Sequence, residues 1–303
     1  MRTIIDAHVH ITPAEALGRE NRRFGTRNLP YGYLQLGDGG FQTMPCFIRD
    51  SQFTAETLVH MMDVYGVERA VIQQSLMAEV NEAIAAAVQR WPDRLAGAMV
   101  LEPVPGWEQQ MDRLYAAGLH SIKFEMRAYT NPACYPNASY DDDEMMAFFA
   151  AAAQRGMTVT IDPAPVDFPI YDPRALETAV SAFPNLRFVL CHLAYPRPID
   201  TPERRARWER MLSIAKRPNC WLDVSAMPDF FDAEGWPYPT ALALAAHARD
   251  ICGADKLIWG SDITGTLVRA TYPQMIAMYE RAPFSEAELE QLFSRNAQEA
   301  YAL

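Results

Sequence analysis

Two histidines near the start of the chain have a spacing suited to binding a metal ion. His8 and His10 lie two positions apart in a strand-like run, and residues two apart on a strand point to the same face. Their imidazole nitrogens can therefore share one ion. Imidazole nitrogens and carboxylate oxygens suit a divalent metal of borderline softness, with zinc first and manganese as the alternative.

Other polar side chains stand where later strands are predicted to end. His192 ends the predicted sixth strand and Asp262 ends the eighth, so a third imidazole and a carboxylate are available beside His8 and His10. If these strand ends meet, the four side chains predict a metal centre. The remaining polar strand ends are Gln73, Gln74, Lys123, Glu125, Asp162, Asp223 and Ser225.

The elements that must position these residues alternate in type along the chain. Short β-branched runs are followed by longer amphipathic ones, an order typical of a parallel sheet with covering helices. The predicted strands cover residues 3–10, 69–73, 95–101, 121–125, 158–162, 187–192, 220–225 and 256–262. The predicted helices cover residues 54–65, 79–91, 107–117, 141–154, 173–183, 202–215, 240–252, 272–281 and 285–302.

Eight strand–helix units within 303 residues predict an α/β fold, a (β/α)8 or TIM barrel. In such a barrel the carboxyl ends of the strands face the active site, so the polar strand ends converge there. Helix-capping signals support the boundaries. Thr54 is placed as an N-cap, and Ser285 with Glu288 has the spacing of a capping box.

One connection is much longer than the others. Residues 12–53 separate the first strand from its helix, although loops longer than about 15 residues are uncommon unless they are functional or disordered. This segment carries aromatic residues, glycines and arginines. We interpret it as a lid or pocket wall, with a wrapped surface excursion as the alternative. No composition shift marks a second domain, so residues 1–303 are predicted to form a single barrel domain.

Composition and charge exclude some classes of partner. The formal net charge is −11, which opposes broad attraction to phosphate backbones or anionic lipid. No stretch approaches the roughly 18 apolar residues of a membrane span, and no leader precedes the first strand. The chain is therefore predicted to be cytoplasmic, with no nucleic-acid or membrane partner. The sequence leaves open whether the chain forms a homo-oligomer.

The cysteines are expected to be free thiols rather than catalytic or structural. The five cysteines are an odd number without a C-x-x-C pair, which favours reduced thiols. Cys191 precedes His192, and strand alternation is expected to place it on the outward face, where it would serve in packing rather than as a nucleophile.

Several motifs together resemble one known family. Asp6-Ala7-His8-Val9-His10 resembles the opening D-x-H-x-H of the amidohydrolase superfamily, in its amidohydrolase-related (amidohydrolase 2) branch. The segment 121–124 is similar to that family's fourth strand, and the segment 189–193 to its sixth-strand histidine. The Gly260-Ser261-Asp262 motif resembles the G-S-D motif of the family's eighth strand. The segment 296–301 resembles the motif with which the family's sequences close.

This resemblance covers the full length and implies a metal-dependent (β/α)8 enzyme with one divalent ion. His8, His10 and Asp262 would ligate or flank the ion, with His192 nearby. Where many members place a fifth-strand histidine, this chain has Asp162, which could offer an oxygen instead. Some lactonases of this branch are similar in layout and work without metal.

The implied chemistry is hydrolysis of a lactone or amide by an activated water molecule. Asp262 would take the proton of the water, His192 would orient the carbonyl, and Lys123 would anchor an anionic group or tune the site electrostatically. A small, anionic substrate is favoured because arginines follow several strands and pair bidentately with carboxylates. The predicted substrate-binding residues are Glu125, Arg127, Tyr195 and Arg197.

Two other functions remain open. This branch also includes nonoxidative, metal-dependent decarboxylases with a similar set of histidines and aspartates, which would act on a carboxylated aromatic or enoic acid. The third alternative is a barrel that binds a ligand without turnover, with Asp162 marking a decayed site.

Overall fold

Eight parallel strands form the centre of the molecule, which we describe from a computed structural model covering residues 2–21, 25–75, 80–125 and 139–303. Each strand pairs with the next strand of the barrel along the chain. The strands are Ile5–Val9, Arg69–Ile72, Leu95–Val100, Ser121–Glu125, Thr158–Asp162, Arg187–Leu190, Cys220–Asp223 and Leu257–Ile258. We number them one to eight.

The first and eighth strands meet and close the barrel. The Ala7 N–H donates to the Trp259 carbonyl at 3.1 Å, and the Asp262 N–H donates to the His8 carbonyl at 2.7 Å. The (β/α)8 barrel predicted from the alternation of elements is thus confirmed. The eighth strand itself is much shorter than the predicted 256–262, because the chain bends after Ile258 and continues through the 260–262 segment.

Helices surround the strands and bury the outward faces. Phe124 and Phe188 point away from the barrel axis and contact the rings of Phe148 and Phe149 in one helix, with centroids 5.9 and 5.4 Å apart. The helices are Ala55–Tyr65, Asn81–Arg90, Trp107–Ala116, Asp143–Gln154, Pro173–Ala182, Pro202–Ser213, Met227–Phe230, Pro239–Cys252, Tyr272–Tyr279, Glu286–Glu290 and Asn296–Tyr301.

The predicted terminal helix 285–302 has an interruption. Its first part, Glu286–Glu290, begins at the Ser285–Glu288 capping box, and a π-helical segment, Gln291–Arg295, connects it to Asn296–Tyr301. The Thr54 cap is also present, since its hydroxyl accepts from the Thr57 N–H at 3.3 Å.

The last helix closes the amino-terminal end of the barrel. Tyr301 enters the barrel base, where its hydroxyl lies 3.0 Å from Gln73 Nε2 and 2.9 Å from Thr160 Oγ1. Apolar side chains from the strands and this helix surround it. They are Ile5, Ala7, Val71, Val189, Trp221, Ile258, Ala297 and Ala300. The barrel base is therefore a packed core, and access from solvent is from the opposite end.

The long segment 12–53 folds into a sheet of its own. Four antiparallel strands pair in chain order, and we call this sheet the β-insertion; its strands are Glu20–Asn21, Thr26–Leu29, Tyr33–Leu36 and Gly39–Gln42. The sequence predicted a lid or pocket wall here, with a wrapped surface excursion as the alternative, but it did not predict a sheet. The expectations of a lid and of a single domain over 1–303 remain predictions.

In the described ranges no helix combines the length and apolar character needed to cross a bilayer.

Candidate active site

A cavity of about 400 Å³ opens at the carboxyl ends of the strands. Its floor is polar, and one wall comes from the β-insertion, through Leu34, Phe41 and Gln42. The predicted site residues that line it are His10, Lys123, Glu125, His192, Tyr195 and Asp262. These side chains come from four barrel strands or the turns after them, the first, fourth, sixth and eighth, and they meet in one space, as the polar strand ends predicted.

His8 is held by a carboxylate that keeps one of its nitrogens available. Its Nδ1 lies 2.8 Å from Asp223 Oδ2, and both side chains are fully buried. Because a carboxylate accepts, we assign the proton to Nδ1, and Nε2 then carries a lone pair. Burial and the nearby Lys123 charge lower the pKa of His8 to about 4, against the effect of Asp223, so the ring is neutral at pH 7.

His10 is oriented in the same way by an amide. Its Nδ1 lies 3.1 Å from Gln74 Oε1, while Gln74 Nε2 donates to the Ile11 carbonyl at 3.2 Å. The second contact fixes the orientation of the amide, so His10 Nδ1 must donate. The lone pair of His10 is therefore on Nε2, which lies 2.8 Å from Asp262 Oδ1.

Asp262 reaches the histidines because the chain turns sharply behind the first strand. Its backbone is left-handed, with φ of 57°, a conformation that a non-glycine residue adopts at an energetic cost and that clusters at functional sites. Gly260 permits the close approach: a Cβ there would lie 2.6 Å from His8 Cβ. Asp6 supports the turn by accepting from the Ser261 N–H at 2.8 Å.

These three side chains fit a divalent cation. Asp262 Oδ1 lies 2.8 Å from His10 Nε2 and 3.5 Å from His8 Nε2. Two imidazole lone pairs and a carboxylate oxygen that face one another form a ligand set for a divalent cation. Two ligands of one zinc ion lie at most about 4.2 Å apart, since each bond is about 2.1 Å long. We call His8, His10 and Asp262 the outer group.

Asp262 is ionised in this setting. Burial alone would raise the pKa of Asp262, but the neighbouring imidazoles of His10, His192 and His8 outweigh it and hold the pKa below its usual value. The carboxylate is therefore able to ligate a cation or accept a proton at neutral pH.

His192 stands beside His8, with ring centroids 4.9 Å apart. The backbone is left-handed from His192 through Tyr195, which turns the imidazole toward the cavity. Ser225 donates its hydroxyl proton to Asp223, so its oxygen accepts from His192 Nδ1 at 2.8 Å. The lone pair is then on Nε2, which lies 3.9 Å from Asp162 Oδ2.

Asp162 is fully buried at the end of the fifth strand, where one oxygen accepts from the Ala164 N–H at 3.2 Å. Its second oxygen lies 3.9 Å from His192 Nε2. A role for Asp162 as a metal ligand stays a prediction.

The expectation that Cys191 faces outward is wrong. The sixth strand ends at Leu190, and Val189 faces the barrel interior, so Cys191, two positions later, also faces inward. Its sulfur accepts from Lys123 Nζ at 3.0 Å, and Nζ also lies 3.4 Å from His8 Nε2. His8, Cys191 and His192 form a second group of potential metal ligands among the described residues, which we call the inner group.

The predicted substrate-binding residues divide into three cases. Glu125 and Tyr195 line the cavity; Glu125 accepts from the Ser75 hydroxyl at 3.0 Å, and the Tyr195 ring packs on Phe230 with centroids 4.8 Å apart. Arg197 is exposed, donates to the Phe230 carbonyl and lies outside the described lining of the cavity. Arg127 lies outside the described residues.

Two charged residues of the cavity were not predicted as a pair. Asp229 and Arg269 both line it, and their closest atoms lie 3.6 Å apart. Arg269 is one of the arginines after the strands that the sequence predicts to pair with an anion, whereas Asp229 is not among the predicted site residues. Burial and the charge of Asp262 raise the pKa of Asp229 to about 7. Asp229 lies in a short helix after the seventh strand, a segment that the strand–helix pattern does not reveal.

Known structures share this fold over the whole chain. A probable 2-pyrone-4,6-dicarboxylic acid hydrolase from Acinetobacter baumannii, with citric acid bound, superposes with a TM-score of 0.73 at 19% identity, covering 99% of this chain and 100% of that one. An amidohydrolase from Burkholderia multivorans with bound zinc gives a TM-score of 0.71 at 16% identity, covering 99% of each chain.

A decarboxylase has the same fold. The 5-carboxyvanillate decarboxylase from Sphingomonas paucimobilis gives a TM-score of 0.63 at 16% identity, with both chains fully covered. No curated protein matches the chain by sequence. The family model described as Amidohydrolase matches residues 5–303, which include the D-x-H-x-H, sixth-strand histidine and G-S-D segments. The chain therefore belongs to the amidohydrolase family.

Proposed function

We propose that this protein is a metal-dependent hydrolase that opens a lactone or amide carbonyl of a small, anionic substrate with water. The observation that carries the proposal is the outer group: two imidazole lone pairs and an ionised carboxylate meet at the floor of a cavity large enough for a small molecule. Zinc is the preferred ion and manganese the alternative. The ion supplies positive charge that polarises a carbonyl oxygen and acidifies water.

The residues around the outer group divide the remaining work. Asp262, ionised at neutral pH, accepts the proton of the attacking water and delivers it to the leaving oxygen or nitrogen. His192 lines the cavity beside the outer group, where its imidazole orients the carbonyl of the substrate. Asp223 and Gln74 hold the His8 and His10 rings in the required tautomers.

An anionic substrate is supported by Arg269. Its guanidinium lines the cavity and lies 3.6 Å from Asp229 and 3.5 Å from Asp232. These separations are longer than a hydrogen bond, so the guanidinium can turn to a substrate carboxylate without breaking one. Glu125, Tyr195 and the expected Arg127 and Arg197 stay as further proposed contacts to the substrate.

A decarboxylase is the second candidate. The rings of Tyr195 and Phe230, tilted by 59° to each other, give the cavity wall an aromatic surface that favours an aromatic acid, and the same outer group would hold the oxygens of such a substrate. A decarboxylase releases CO2 from its substrate, whereas a lactone or amide hydrolase produces net acid, so these two products distinguish the reactions.

The test uses the protein loaded separately with zinc and with manganese. Lactones and amides are assayed by acid release in weak buffer, and carboxyl-labelled aromatic acids by release of labelled CO2. We expect acid release. CO2 release instead would establish the decarboxylase, and no turnover of either panel would support the ligand-binding alternative.

Asp262→Asn tests the assigned base. Asn tolerates the left-handed backbone at this position, so the fold should be retained. We expect turnover to fall by at least about 100-fold, the lower range for removal of a general base. The matched control is Asp93→Asn, at an exposed position before the third strand, at the opposite end of the barrel. Full activity of Asp262→Asn would remove Asp262 from the mechanism.

A further inference from the structure

One face of the β-insertion is turned toward the cavity. Its three longer strands pair in register, so that Leu34 stands directly opposite Asn28 on one side and Phe41 on the other. Paired residues of an antiparallel sheet lie on the same face, and all three residues line the cavity. We call the face that carries them the inner face.

Leu36 extends the inner face beyond the cavity lining. It lies two positions after Leu34, so strand alternation places both side chains on one side of the sheet. Its partner on the next strand is Gly39, which contributes no side chain to cover it. Leu36 and Phe41 are diagonal neighbours on this face, a separation that long side chains can bridge.

The outer part of the inner face is apolar and open. Leu34 is 5% exposed, whereas Leu36 and Phe41 are each 44% exposed. A single exposed apolar side chain is common on a protein surface. Two that are neighbours on one face, continuous with the wall of a cavity, form a surface where an apolar group of a ligand loses its contact with water.

The rest of the cavity restricts what such a ligand must carry. The floor presents His10 and Asp262, and Arg269 offers a cation from the loop after the eighth strand, with its side chain 42% exposed. A carboxylate set against Leu36 and Phe41 would lose water without gaining a hydrogen bond from either side chain. A ligand with one carboxylate and one apolar group satisfies both surfaces.

We propose that the substrate is an amphiphile: an amide or lactone with one carboxylate, held by Arg269, and an alkyl or aryl group that lies on the inner face. Leu36 and Phe41 then determine specificity, because they select the apolar group. The inference rests on the proposed function for the reacting bond, whereas the contact with the inner face needs binding and no turnover.

The test measures binding of straight-chain monocarboxylates, from butanoate to decanoate, to the full chain as purified, by titration calorimetry. We expect the association constant to rise about threefold for each added methylene, close to the roughly fourfold that full burial of a methylene gives. Octanedioate is the matched ligand for octanoate, since it adds a second carboxylate at the far end. It should bind at least about tenfold more weakly, because that charge would face Leu36 and Phe41.

Phe41→Ser and Leu36→Ser test the surface, and Phe47→Ser is the matched control. Phe47 belongs to the same segment, is 82% exposed and lies outside the described lining of the cavity. We expect the gain per methylene to fall below about twofold in each test variant and to keep the wild-type value in the control. Arg269→Gln should weaken all chain lengths by one common factor, because it removes the charge partner and leaves the inner face intact.

Three results would overturn the proposal. The first is an association constant that does not depend on chain length in the wild type, and the second is an equal response of Phe41→Ser, Leu36→Ser and Phe47→Ser. The third is a lower mass of the test variants in light scattering, which would show that a second copy of this chain covers the inner face.

Two further outcomes are decisive. If Phe41→Ser does not fold, Leu36→Ser and the comparison of octanoate with octanedioate decide, and wild-type behaviour in Leu36→Ser refutes the proposal. If binding depends on chain length as expected while no amide or lactone is turned over, the proposed hydrolysis fails and the assignment of the inner face to an apolar group stands.

Discussion

At the scale of single residues, the second hydrogen bond of each histidine determines what the ring can do. His8 and His10 were predicted as a pair from their spacing alone, and the structure adds that Asp223 and Gln74 leave both Nε2 atoms as acceptors. Asp223 ends a predicted strand and was noted as polar. Its pairing with His8, 215 positions away, depends on barrel geometry that local pattern does not encode.

The error at Cys191 has the same origin. The sequence predicts a strand that runs to His192, with the histidine facing the barrel interior. Alternation along that strand then predicts that Cys191 faces outward. In the structure the strand ends at Leu190, and the left-handed turn starting at His192 brings both side chains to the interior. Alternation predicts the face of a residue inside a strand but not beyond a turn.

Asp229 predicts a pH dependence of stability. Burial and Asp262 raise its pKa to about 7 from 3.8. The folded protein therefore holds a proton that the unfolded chain loses near pH 4, so this contribution to stability is present below pH 4 and is lost as the pH rises through 7. Asp229→Asn keeps a neutral side chain at every pH. We therefore expect the difference between its Tm and that of the wild type to increase as the pH is raised from 4 to 8. A Tm difference that stays constant over this range would contradict the assignment.

At the scale of elements, the strand–helix alternation predicted all eight barrel strands, and most helix positions followed from it. The β-insertion was not predicted as a sheet. Its strands are only two to four residues long, too short for a period-2 pattern to emerge from the surrounding glycines and arginines. The eighth strand was predicted too long because the apolar run Leu257-Ile258-Trp259 leads directly into the G-S-D segment, which leaves the strand and turns to carry Asp262.

Gly32 tests the role of the β-insertion. It has φ of 71°, and a Cβ there would lie 2.5 Å from the Met44 carbonyl oxygen, next to the cavity wall. We expect Gly32→Ala to loosen the insertion, so that proteolytic cleavage within residues 18–52 speeds up and KM rises, because this sheet supplies part of the cavity wall.

Gly37→Ala is the matched control. Gly37 also has a positive φ, of 56°, but nothing lies within 4 Å of its added Cβ, so the substitution costs only the backbone strain of about 1 kcal/mol. Equal protease sensitivity of the two variants would show that the contact with Met44 does not hold the insertion in place.

At the scale of the whole molecule, the barrel is closed at one end by its own last helix and open at the other to the candidate site. The resemblance to known motifs predicted the fold and the family over the full length. It did not predict that Tyr301 enters the barrel base, because the closing motif specifies residue types and not their depth in the barrel.

Tyr301 therefore affects global stability. It is 6% exposed and packs on six apolar side chains of the strands. We expect Tyr301→Ala to lower the free energy of unfolding by about 3–5 kcal/mol, as for other buried aromatic residues, and Tyr301→Phe to lower it by about 1 kcal/mol through the lost hydrogen bonds. Denaturant unfolding measures both. Equal losses in the two variants would show that the ring contributes no packing.

The most direct test of the account is the equilibrium binding of zinc to the chelator-stripped protein, compared between the wild type and His10→Ala. We expect about one ion per chain in the wild type, together with a raised Tm, and loss of both in the variant, because a ligand that binds the folded state stabilises it. Less than about 0.2 ion per chain in the wild type, or equal binding in the two proteins, would contradict a metal centre formed by His8, His10 and Asp262.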